Sequence, residues 1–350
     1  MSLALVRPRM FLPKGQYAPR PVDGILVLQR GENPSTDYYL RWRLAAQEVP
    51  TEVLDLDQDP AASRLLGPGG GQALMVVFCR YASPAWLGAL EGAKGRLARV
   101  ALFMDDDLPE MMRSPEIPAA ARGKAALAFG AHVDRLGGLC SEVWVSTDGL
   151  AERYAAVRPL VLRPAPEADP PRADQAGDGL VVYHGTDVHE RERRFVLEVA
   201  RLVAPRAPGV VFEITGGPRL ARTAADLPSV RIASQLAWPD YLAAQTGRRA
   251  AISLAPLFAS PLNDVRAPVK AFDAARLGAV GIYADAPAYQ AFVRDGEDGL
   301  LLAMDPALWA TAILGLLGDP GRRSALASAA RERLVGLRRA DPAFPAAPGE

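Results

Sequence analysis

The sequence predicts an α/β protein: two Rossmann-like parallel-sheet domains facing across a cleft. Three observations predict it. Apolar, strand-like runs alternate with amphipathic helical stretches along the chain. That alternation is what a parallel sheet covered by helices on both faces requires. A stretch rich in Pro, Ala, Asp and Gly, residues 164–179, has no apolar period and interrupts the rhythm near the middle. Finally, 350 residues are too many for most single cores and suit two. The expected divisions are a first domain over 1–163, a linker over 164–179, a second domain over 180–335 and a flexible tail over 336–350.

In the first domain "GILVLQ" reads as a strand, and "STDYYLRWRLAAQ" as a helix capped by Ser35 or Thr36. "TEVLDL", "ALMVVFC" and "RVALFM" are further strands. "AARGKAALAFGAHVDRLGGLC" reads as one long helix, followed by the strand "EVWVST", the helix "DGLAERYAAV" and the closing strand "PLVLRP". After the linker come the strand "LVVYHG", the helix "DVHERERRFVLEVARLV", the strands "GVVFEITG" and "VRIAS", the short helix "WPDYLAAQ" and the strand "AAISLAPL". The stretch "NDVRAPVKAFDAARLGAVGIYAD" reads as a charged helix stopped at Gly278 and followed by a strand. "GLLLA" and two helices complete the domain.

Lys plus Arg and Asp plus Glu number 40 each, so no bulk field draws the chain to nucleic acid or to an anionic surface. The two cysteines, Cys79 and Cys140, suit neither a disulfide scaffold nor a zinc site and read as buried thiols. Arg7, Pro8 and Arg9 break the apolar start, so no signal peptide is expected. No run of about 18 apolar residues suggests a membrane span. A cytoplasmic location is the expectation.

Ligands of doubly wound folds bind at the carboxyl ends of the strands. One such end is "YHGTDVHERERR". His184, Gly185 and Thr186 lie where strand gives way to helix, Thr186 or Asp187 can cap that helix, and His189 follows. Gly216 and Gly217 form a turn after "FEIT". Arg266, Lys270 and Asp273 are spaced by four and three and so would share one helix face. There Arg266 and Lys270 would meet phosphates, with Lys270 unpaired until they bind, and Asp273 would accept from ribose hydroxyls. A surface salt-bridge ladder explains the same spacing. Asp105, Asp106 and Asp107 end the strand "RVALFM". Clustered carboxylates repel unless a metal, a cation, a hydroxyl network or a helix N-terminus compensates them.

The pattern Asn263-x-x-Arg266-Ala-x-x-Lys270-x-x-Asp273-x-x-x-x-Gly278, with "AVGIYADAPAYQAFVRDGEDGLLL" after it, resembles the donor-binding half of GT-B glycosyltransferases of the group 1 type. "VYHGTDVHERERRF" resembles the first strand and helix of that half in a subset of them. The resemblance covers about Leu180 to Ala303. It implies a nucleotide-diphosphate sugar on the second domain, a saccharide or glycoconjugate acceptor on the first, and transfer with retention. It implies no metal and no cofactor beyond the donor. Carried onto this chain, His184, Gly185, Thr186, His189, Gly216, Asn263, Arg266, Lys270 and Asp273 are the donor-side candidates. Arg80, Asp106 and Asp107 are the acceptor-side candidates, and Asp105, Asp106 and Lys270 the catalytic ones. The chain departs from the family's acidic pair spaced by eight: Val265 stands at the first position and Asp273 at the second.

Other readings stay open at this point. "MDDDL" also has the Asp-x-Asp of a magnesium-dependent phosphatase of the haloacid dehalogenase type, with Asp105 as nucleophile and Asp107 as acid/base, or of a GT-A glycosyltransferase. A non-catalytic nucleotide-sugar or partner-binding module, or an epimerase, would use the same fold.

Overall fold

The computed structural model describes residues 11–166, 170, 179–186, 188–339 and 343–345. The expectations for the N-terminal start, Asp187, most of the linker and the end of the tail lie outside the described residues. The chain forms two compact units. The first gathers the chain up to Pro164 with Val265–Ala267 and the described tail residues; the second holds Ala165–Asp264 and the chain from Pro268.

The first unit has six strands: β1 (Gly24–Gln29), β2 (Thr51–Asp55), β3 (Leu74–Cys79), β4 (Leu97–Met104), β5 (Glu142–Val145) and β6 (Leu160–Val161). Their order is β2-β1-β3-β4-β5-β6, and every pairing is parallel. The inner strands β1 and β3 are buried at every position, as a sheet covered on both faces requires. Trp86, Phe78, Phe129 and Leu102 lie in its core.

The second unit has six more strands: β7 (Leu180–Tyr183), β8 (Val211–Thr215), β9 (Val230–Ala233), β10 (Ile252–Ala255), β11 (Val280–Ala284) and β12 (Leu300–Leu302). Their order is β12-β11-β10-β7-β8-β9, again parallel throughout. Counted within the unit this is the 3-2-1-4-5-6 order of a dinucleotide-binding sheet. The helix Glu190–Val203 packs Phe195, Val196, Val199 and Val203 into the core with Phe212 and Trp309.

Three elements differ from expectation. The helix after β1 is capped by Asn33, whose Oδ1 accepts from the Thr36 amide at 3.0 Å, with Pro34 at the first helical position. It then widens into a π turn over Asp37–Arg41. The long helix expected near 120–140 is two, Ala119–Ala128 and Val133–Leu139. Phe129 leaves helical geometry (φ −120°, ψ −59°) between them, with its ring buried in the core. The last helix runs on to Arg339, and beyond it Phe344 stacks on Trp144 at 5.4 Å.

Candidate active site

In each sheet the order reverses at one point, and there the loops after neighbouring strands splay apart to leave room for a ligand. In the second unit that point lies between β7 and β10. His184 follows β7 directly, and the helix Lys270–Arg276 comes from the loop after β10. The Lys270 ammonium donates to the His184 carbonyl at 2.5 Å and lies 3.1 Å from Asp273 Oδ2. Lys270 therefore already has partners, contrary to the expectation that it stands unpaired. Its side chain keeps 30% exposure, so it reaches solvent from a fixed position. The Gly185 carbonyl accepts from buried Arg193 at 3.4 Å.

The His184 ring is held from two sides. Nε2 lies 3.0 Å from Glu213 Oε1 and Nδ1 3.2 Å from the Tyr241 hydroxyl. Glu213 also accepts from Arg248 at 2.9 and 3.0 Å and pairs with Arg231. Burial pushes the Glu213 carboxyl up, but the hydrogen bonds from His184 and Arg248 outweigh it and bring it to about 2. Arg231 and Arg248 together outnumber the charge of Glu213.

In the first unit the order reverses between β1 and β3. Arg80 follows β3 in a left-handed conformation (φ +70°) that a non-glycine residue adopts only under constraint. Its Nε lies 3.3 Å from Asp105 Oδ1, and its Nη2 3.9 Å from Asp106 Oδ2. Ser35, from the helix after β1, donates to Asp105 Oδ2. Arg266 completes the cluster, its Nε 3.3 Å from Asp106 Oδ1. Burial raises the Asp105 carboxyl above the ordinary range; Arg80 opposes this and Asp106 adds to it. Ser35, Arg80, Arg266, Asp105 and Asp106 thus meet in one polar cluster at this switch point.

Residues 178–319 match the family model of the glycosyl transferases group 1. HepE of Anabaena, solved with UDP-glucose, superposes with a TM-score of 0.55 at 12% identity, covering 89% of this chain and 94% of its own. The fold is GT-B. TarM superposes equally well at 14% identity, covering 76% of this chain. This chain spans about half of TarM, 52% of its length. A mutant of S. aureus TarM, solved with fondaparinux, α-GlcNAc-glycerol and UDP, gives a TM-score of 0.54 at 12% identity, covering 76% of this chain and 52% of its own. No curated protein matches the sequence. The family match covers less than half of the chain, and the solved structures show the fold.

Within this GT-B fold the remaining candidates take local roles. Arg266 is not on the Lys270 helix. Pro268 precludes a helix through Ala267, the helix begins at Lys270, and Arg266 belongs to the first unit. Val265 beside it is buried in the first unit's core, and its carbonyl accepts from Thr147 Oγ1 at 2.8 Å. Asp107 is 1% exposed and does not face an acceptor. Its oxygens accept from the Glu110 amide at 2.9 Å, Arg153 at 2.7 Å and the Tyr154 hydroxyl. It is the N-cap of Leu108–Arg113. Those bonds also remove the acid/base of the phosphatase reading. Thr186 does not cap the following helix: the N-cap position is His189, whose amide donates to the Thr186 carbonyl at 3.1 Å. The His189 ring lies 3.7 Å from Glu192. Asn263 donates to the Phe258 carbonyl at 2.8 Å and pins its own loop. Gly216 makes room for Leu220, whose Cδ2 would lie 2.5 Å from an added Cβ. Gly185 likewise makes room for the Tyr183 hydroxyl, 2.8 Å from such a Cβ.

Sequence reasoning missed Glu213, Tyr241, Arg248 and Ser35. Glu213 had a signal, a lone acid inside the apolar strand "VFEIT". The others carry none that spacing alone would reveal. Among the described residues no group of three His, Cys, Asp or Glu could hold a metal ion, and no helix is long and apolar enough to cross a membrane.

Proposed function

We propose that this protein transfers a sugar from a nucleotide-diphosphate sugar to a hydroxyl of a saccharide or glycoconjugate acceptor, with retention at the anomeric carbon. The observation that carries the reading is the Lys270 ammonium fixed on the His184 carbonyl at the switch point of a 3-2-1-4-5-6 sheet, inside the stretch that matches the family. A preorganised cation there meets the charge that develops on a departing diphosphate and needs no reorganisation to do so. Asp273, close to Lys270, serves the ribose, and Arg80, Asp105 and Asp106 with Arg266 orient the acceptor hydroxyl. The bond from the anomeric carbon to the diphosphate breaks while the acceptor oxygen bonds on the same face. The hydroxyl proton passes to the leaving phosphate. HepE was solved with UDP-glucose, and S. aureus TarM with UDP and α-GlcNAc-glycerol, which supports a nucleotide sugar as donor here.

A second reading rests on Val265, an apolar residue buried where the family's first acid is expected: a module that binds the donor without turning it over. Incubation with UDP-, GDP-, ADP- and dTDP-sugars and simple saccharides separates the two. The transferase reading requires acceptor-dependent release of one nucleoside diphosphate and, by proton NMR, an α-linked product from an α-linked donor. Saturable binding with no release in any combination would establish the module instead.

A further inference from the structure

Glu213 lies in the middle of β8 with only 4% of its surface exposed. A carboxylate buried in a strand is costly unless it is paired. This one accepts from two guanidinium groups, Arg231 and Arg248, which already outnumber its charge. His184 is a third partner, at 3.0 Å through Nε2. An ionised carboxylate can only accept, so Nε2 carries a hydrogen. The other face of the arrangement is Tyr241. Its hydroxyl meets Nδ1, its ring meets the imidazole edge-on at 5.6 Å, and Trp238 stacks on it at 5.5 Å. The backbone of His184 is held separately by Lys270. Ring and main chain are thus fixed by different elements.

We propose that Glu213 is a positioning residue for His184: it holds the imidazole as the Nε2–H tautomer at the end of β7, and so holds the His184 carbonyl on which the diphosphate-binding Lys270 is fixed. This rests on the donor reading above. The opposite electrostatic expectation makes it testable. Removing a negative charge would by Coulomb attraction alone tighten an anion, whereas a loosened His184 no longer fixes Lys270 and weakens it.

The experiment uses the full chain and its E213Q, H184Q and doubly substituted variants. Ring nitrogen–proton correlation spectra report the tautomer, and calorimetry with UDP, GDP, ADP and dTDP reports affinity. The wild-type ring is expected as Nε2–H alone and the E213Q ring as a mixture. The nucleoside diphosphate that binds is expected to lose about fivefold in affinity in E213Q. The double variant should bind no more weakly than H184Q, because the two residues act as one unit. Tighter or unchanged binding in E213Q, or additive losses, would overturn the positioning role alone. Wild-type protein that binds none of the four diphosphates would overturn the donor reading and the role of His184 with it. Should E213Q not fold, the wild-type spectrum still decides: a hydrogen on Nδ1 and not on Nε2 overturns the proposal.

Discussion

Asp105, Asp106 and Asp107 follow one another and meet three different environments. Asp107 turns inward to cap a helix, Asp106 faces Arg266, and Asp105 sits between Ser35 and Arg80. The sequence showed the cluster and the need for compensation, but the groups that compensate Asp105 and Asp106 come from the helix after β1, the residue after β3 and a distant loop. Only the fold could name them. Asp105 also carries a cost. Its proton affinity is raised in the folded state, so the favourable contribution exists below about pH 4 and is lost as pH rises through the folded value. Asp105→Asn should therefore keep or raise the melting temperature at neutral pH while lowering transfer about tenfold or more. A lower melting temperature with full transfer would assign Asp105 to structure. Glu213 has the opposite sign. Its folded value, about 2, lies below its ordinary 4.5, so the carboxylate stabilises above pH 4.5 and loses that effect as pH falls toward 2. The shift corresponds to at most about 3 kcal/mol, reduced by solvent screening through the half-exposed Arg231. Urea denaturation of wild type and E213Q from pH 6 to pH 2.5 should show that difference shrinking with acid.

At the scale of elements, the Lys270 helix shows why spacing misleads. Arg266, Lys270 and Asp273 have helical spacing, yet Pro268 was the decisive residue, and it moves Arg266 to another unit. The stop at Gly278 was legible. Gly278 has φ +62°, its amide donates to the Ala275 carbonyl at 3.0 Å, and the Ala279 amide donates to the Ala274 carbonyl at 3.0 Å. Those two bonds are the Schellman ending of a helix. Gly278→Ala should cost about 1–2 kcal/mol in chemical denaturation because it forces a Cβ into the left-handed region. An unchanged midpoint would show that the turn tolerates another conformation. Lys270→Ala removes a bond to the strand end as well as a cation. It should cost about 1 kcal/mol of stability in addition to donor affinity. A variant as stable as wild type would mean that the ammonium serves the ligand alone.

For the whole molecule, alternation of strand and helix was enough to give two parallel sheets. Their orders, β2-β1-β3-β4-β5-β6 and β12-β11-β10-β7-β8-β9, were not legible, because nothing in an apolar run says which neighbour it pairs with. Those orders put the candidate site residues at two switch points. They also bring together residues far apart in sequence, His184 with Lys270 and Ser35 with Asp105. Val265–Ala267 could not be placed from sequence either, since the loop after β10 leaves the second unit and contributes to the first. Transfer as proposed requires the second unit to bind a nucleoside diphosphate through Lys270. Calorimetric titration of UDP, GDP, ADP and dTDP into the wild-type protein and Lys270→Ala, with and without magnesium, tests it most directly. Saturable binding of one of the four is expected, independent of magnesium and at least about tenfold weaker in the variant. Equal affinity in the two proteins, or binding only with magnesium, would contradict it.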